Sequence, residues 1–157
     1  MGLLHGTIID AASGEKIDAK VHVLNSMGTF SHPTGVLLKN GPGTPFFFSD
    51  GEFEVNAGRG RADVLVERGT EYEPQRVVVE MSEKGVVDVE IPIKRWYYPQ
   101  ENHWYPGNTH IHYDEKETRP DERLGVDCSV EGYNVTAVSV LDRRQLPYAS
   151  NKYPIGV

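Results

Sequence analysis

The sequence predicts a mainly β protein, an antiparallel β-sandwich followed by a partial α/β unit. Three observations carry that prediction. From Gly2 to Arg95 apolar and polar residues alternate with period two between turn residues, the pattern of half-buried strands. At Trp96 the composition shifts to an aromatic-rich stretch broken by prolines. Beyond Gly107 come a strand-like segment, a polar stretch with helix signals and an apolar run from Val135 to Leu141, the order of strand, crossover and buried parallel strand.

Taken in order, GTIIDAASGEKIDAKVHV reads as strand, turn at Ala12 to Gly14, and strand, with Asp10, Ser13 and Gly14 as turn formers. Val21 and Val23 face inward, and His22 between them is expected on the wet face. Asn25 to Thr44, glycine-rich around NGPG, reads as a long loop. In FFFSDGEFEV the pair Asp50-Gly51 lies between two aromatic-rich runs, which signals a tight hairpin with positive φ at both central residues. Ala62, Val64 and Val66 face in, with Asp63 and Glu67 out; Val77, Val79 and Met81 face in, with Arg76 and Glu80 out. Glu71-Tyr72-Glu73 shapes the turn before the Arg76 strand. Val87, Val89, Ile91 and Ile93 form one apolar face, and Pro92, lacking an N–H, confines their strand to an edge. About seven short strands separated by turns read as a sandwich of the prealbumin/Ig-like kind.

The chain is thereby organised as a sandwich over 1–95, an aromatic linker over 96–106 and a strand-crossover-strand portion over 107–157. Trp96, Tyr97, Tyr98, Trp104 and Tyr105 carry apolar area that is costly to expose, so an inter-domain surface is expected, with a sugar-binding platform as the alternative. A helix would start near Thr118 with Pro120 in its first turn, Asp121 and Glu122 at its positive end, and a stop at Gly132. Leu124, Val126, Cys128 and Val130 also alternate with period two, so a strand over 124–130 competes with it.

Composition narrows the function classes. The 157 residues carry 16 Lys and Arg against 23 Asp and Glu, a formal charge of -7, which argues against nucleic acid or an anionic membrane as partner. Cys128 is the single cysteine, so no internal disulfide forms and a structural thiol is expected. No window approaches the ~18 apolar residues of a membrane span. The opening MGLLHGTIID lacks the basic start and apolar stretch of a signal peptide, so the compartment stays open. GRGRAD precedes a strand and lacks the Lys-Ser/Thr of a phosphate loop, and no serine sits in a nucleophile-elbow context.

One constellation suits chemistry. His110 and His112 are two apart on a presumed strand, so their imidazoles project from one face about 7 Å apart, a spacing suited to one divalent metal. Zinc, iron or manganese would fit imidazole, with Asp114 and Glu115 near enough to add oxygen or fix a ring tautomer. Asp142 follows the apolar run, where parallel α/β sheets put functional carboxylates; a helix cap or an ion pair with Arg143 or Arg144 is the other reading. His103, in the linker, is expected to be a solvated histidine, with approach to the pair as the other reading, whereas His5 and His32 have no acidic or cysteine partner at ligand spacing.

WYPGNTHIH, from Trp104 to His112, resembles the opening motif of the PHP-type metallohydrolases, and more nearly their CehA/McbA-like branch. Relatives of that branch carry a sandwich resembling the carboxypeptidase regulatory domain, and GTIIDAASGEKIDAKVHV, FFFSDGEFEV, VERGTEYEP and IPIKRW are similar to its recurring pieces. The resemblance implies that His110 and His112 end the first strand of a distorted α/β barrel and bind a divalent metal that activates water against ester or phosphoester bonds. Where many relatives carry Asp-His after the second strand, this chain has Asp142-Arg143. A parallel barrel needs on the order of 200 residues. Gly107 to Val157 supplies far fewer, so the expectation is an N-terminal fragment of a metal-dependent hydrolase, inactive as this chain alone. A missing C-terminal domain or a second copy would then cover the open parallel edges. The competing expectation is a non-catalytic sandwich module that binds protein or carbohydrate, or assembles.

Overall fold

The computed structural model describes residues 2–39, 43–82, 85–111 and 119–138. The chain divides into two compact units, Met1–Tyr98 and Pro99–Val157. Strand content dominates, and no helix among the described residues is long and apolar enough to cross a membrane.

The first unit contains strands β1 (Gly2–Asp10), β2 (Ala19–Leu24), β3 (Phe30–Ser31), β4 (Leu38–Lys39), β5 (Phe46–Ser49), β6 (Glu52–Asn56), β7 (Gly60–Glu67), β8 (Gln75–Met81) and β9 (Gly85–Ile93). They form two sheets, one ordered β6-β1-β9 and one ordered β4-β5-β2-β7-β8 with β3 paired to β2. The alternation read in the sequence explains the core. Leu4, Ile8, Val21, Val23, Phe47, Val64, Val66 and Ile91 are fully buried between the sheets, while the residues between them in sequence lie on the outer faces. Removing this apolar area from water, at about 25 cal/mol per Å², is what holds the two sheets together.

Three expectations about this unit change. The Asp50-Gly51 turn does not close a hairpin: β5 pairs with β2 and β4, whereas β6 pairs with β1 in the other sheet. Only Gly51 takes positive φ, at 109°, and its N–H donates to Ser49 Oγ while its carbonyl accepts from Ile8 N. The aromatic runs that suggested a hairpin instead send Phe47 and Phe53 into the core from opposite sheets, a larger gain than one local ladder. The sandwich is also not wholly antiparallel, because β9 runs parallel to β1 over its whole length, Gly2 opposite Gly85 through Asp10 opposite Ile93. Such a pair cannot be joined by a tight turn, and here all the strands between serve as the connection. Finally, the long loop over 25–44 contains the short strands β3 and β4.

His22 is a related correction. It points away from Val21 and Val23, as the alternation requires, yet it is only 9% exposed. Its ring stacks on Phe30, 5.5 Å between centroids and 10° from parallel, and its Nδ1 lies 2.5 Å from the Pro45 carbonyl, to which it donates. The outer face of this sheet is therefore partly dry, with Leu37 and Phe48 buried as well. Pro92 lies in β9 at an edge of the three-stranded sheet among the described residues, as its missing N–H demands.

Two glycines in β1 are set by close approach. A Cβ at Gly6 would sit 2.2 Å from the Phe53 ring, and one at Gly2 would sit 1.9 Å from the Gly58 carbonyl oxygen. Phe53 can lie flat across β1 only because Gly6, its cross-strand partner, has no side chain.

The second unit contains a 3-10 turn (Pro99–Asn102), β10 (Gly107–Ile111), α1 (Pro120–Glu131) and β11 (Val135–Val138). Between the two readings of 124–130, the helix holds. Pro120 opens it, Asp121 and Glu122 occupy its first turn, and Gly132 closes it in the left-handed conformation at φ 73°. The Gly132 and Tyr133 N–H groups donate to the carbonyls of Ser129 and Cys128. Helical packing buries Val130 fully, and the Cys128 thiol lies 3.1 Å from Thr136 Oγ1 on β11. β10 and β11 pair in parallel, Gly107 opposite Val135, Asn108 opposite Thr136 and, past an irregularity, Ile111 opposite Val138. The described part of this unit is thus a strand, a helix and a parallel strand; strand ladders for a barrel are not among the described residues.

Candidate functional site

In sequence, the candidate metal residues fall within β10 and after β10 and β11. In a parallel pair the chain leaves both strands at the same end, and ligands of α/β sheets gather there. Ile111 opposite Val138 places those two exits side by side. His110 is the fourth residue of the five-residue β10. His112, with Asp114 and Glu115, lies outside the described residues, as does Asp142 with Arg143 beyond β11. Among the described residues no three His, Cys, Asp or Glu side chains converge as a metal cage. His103, just before this strand, takes φ 59° where the 3-10 turn ends, and its N–H donates to the Gln100 carbonyl; the ring is exposed.

In the sandwich the ionisable side chains serve one another. Glu71 is 9% exposed and its carboxylate accepts from the Arg95 guanidinium, and Tyr72 forms a bridge with Arg95 in the backbone. Glu71 Oε1 is buried with no hydrogen-bond partner among the described residues. Arg68 and Arg95 both approach the Tyr72 ring, at 5.6 Å and 5.8 Å from its centroid, and Arg95 also lies 4.6 Å from the Tyr98 centroid. Arg68 in turn pairs with the Asp18 carboxylate and donates to its carbonyl. The Tyr72 hydroxyl donates to Asp10 Oδ2 over 3.0 Å.

Burial works to raise the Asp10 carboxyl. The N–H groups of Ser13 and Ala12 and the Tyr72 hydroxyl outweigh it and hold Asp10 below the usual carboxylate range. Burial and the Asp10 charge push the Tyr72 hydroxyl up. These groups clasp the 68–73 connection onto β1, the residue before β2 and the chain leaving β9.

Sequence reasoning missed this cluster. Glu71-Tyr72-Glu73 read as a turn, yet Glu71 and Tyr72 find partners 24 and 62 residues away, at distances no local pattern encodes. His5 has no acidic partner at ligand spacing in sequence, but the fold brings it to Asp88 Oδ1 at 2.8 Å across the parallel β1–β9 pair. Trp96 is fixed by two bonds, its N–H to the Glu71 carbonyl and its Nε1 to the Thr70 carbonyl, both 2.9 Å, while its ring stays exposed beside Tyr97.

No family model and no curated protein matches the chain. Among solved structures it is similar to the minor pilin of Streptococcus agalactiae, at 17% identity and a TM-score of 0.45, with 62% of this chain and 46% of that one covered. It is also similar to the major pilin subunit of Bacillus cereus, at 18% identity and a TM-score of 0.43, with 60% of this chain and 30% of that one covered. The chain spans less than half the length of either pilin chain.

Proposed function

We propose that the first unit is a non-catalytic β-sandwich module for binding or assembly, and that it accompanies a metal-dependent hydrolase domain begun by the second unit. The observation that supports the non-catalytic role is the pairing of ionisable groups that are buried or half-buried in the sandwich: Glu71 with Arg95, Asp18 with Arg68, Tyr72 with Asp10. Each is held against a partner of opposite charge or as a hydrogen-bond donor, which suits rigidity and leaves no group poised for proton transfer. The expected result is that ester and phosphoester hydrolysis assays of the full chain show no activity that depends on the sandwich. Turnover that is abolished by Glu71→Gln or Tyr72→Phe, with folding retained by circular dichroism, contradicts it.

A separate observation favours the hydrolase part of the reading. His110 lies near the C-terminal end of a strand that pairs in parallel with β11 across a helical crossover, the position at which α/β folds present functional groups. The donor chemistry of His110, His112 and Asp142, two imidazoles and a carboxylate, suits zinc, manganese or iron. These residues would hold the ion, which when bound supplies a Lewis acid and lowers the pKa of water. His110 and His112 would contribute nitrogen donors, which bind an ion only as neutral imidazoles.

A further inference from the structure

We draw no further inference here: the strongest candidate, the exposed aromatic patch of Trp96, Tyr97 and Tyr98 at the end of the sandwich, carries nothing because nothing in the structure shows what covers it.

Discussion

Phe47 and Phe53 meet edge to face in the core, ring centroids 5.6 Å apart at 71°, although their strands belong to different sheets and only a short turn separates them in sequence. That contact ties the two halves of the sandwich at the place where the chain crosses between them. Phe47→Ala should cost about 3–5 kcal/mol, the usual loss for a buried phenylalanine. Urea unfolding followed by tryptophan fluorescence measures it; a loss under 1 kcal/mol would mean that the rings are not packed this way.

The fit of Phe53 over Gly6 predicts a coupling between them. Gly6→Ala places a methyl group into the ring and should cost about 1–3 kcal/mol. Paired with Phe53→Leu, whose smaller side chain can make room, the two losses should add to less than their sum. Strict additivity in a double-mutant cycle would refute the close approach.

Replacing Glu71 tests the buried ion pair. Its side chain is 11% exposed and that of Arg95 23%, so Glu71→Ala strips a largely buried guanidinium of this carboxylate, at a cost on the order of 3 kcal/mol. Replacing the far more exposed Glu73, paired with Lys94 at 3.7 Å, should change stability by less than about 1 kcal/mol. Equal effects of the two substitutions would contradict the distinction.

Asp10 and Tyr72 give stability opposite pH limits. Because the folded Asp10 carboxyl titrates below its unfolded value, its contribution is present above about pH 4 and is lost as the pH falls through the folded pKa. Because the Tyr72 hydroxyl is raised, its contribution is full below about pH 10 and is lost as the pH climbs through the folded value. Thermal melts across pH should therefore show Tyr72→Phe with no Tyr72-linked loss in alkali and a shallower loss in acid than the parent chain. Parallel melting curves at both extremes would overturn this.

The edge strand β9 is blunted by charge and proline. Asp88 and Glu90 are exposed and Pro92 removes an N–H, devices that discourage pairing with another chain. The combined change Asp88→Thr, Glu90→Thr and Pro92→Val should raise self-association at a given concentration, read by sedimentation velocity. An unchanged monomer fraction would show that this edge needs no protection.

Much of the sandwich is legible in its sequence because period-two alternation reports directly which side chains meet the core: Ala62, Val64, Val66, Ile91 and Ile93 all lie where their spacing puts them. Pairing partners are not legible. The same aromatic and turn residues around Asp50-Gly51 serve a hairpin or a crossing between sheets, and the choice rests on Leu4, Val55 and Phe53 packing together from strands remote in sequence. Likewise His5 with Asp88, and Glu71 with Arg95, depend on chain segments that only the fold brings together. At the candidate site, the strand, its helix and the parallel return follow from Pro120, Gly132 and the apolar run. The proposal of His110, His112 and Asp142 as metal ligands rests on residue type and on the likeness to the PHP-type motif.

The most direct test of the whole account is calorimetric titration of the full chain with manganese or zinc, beside the same titration of His110→Ala and of His5→Ala. The account predicts saturable binding that His110→Ala abolishes and His5→Ala leaves intact. Binding that survives the loss of His110, or no binding by the unaltered chain, would contradict the proposal that the second unit belongs to a metal-dependent hydrolase.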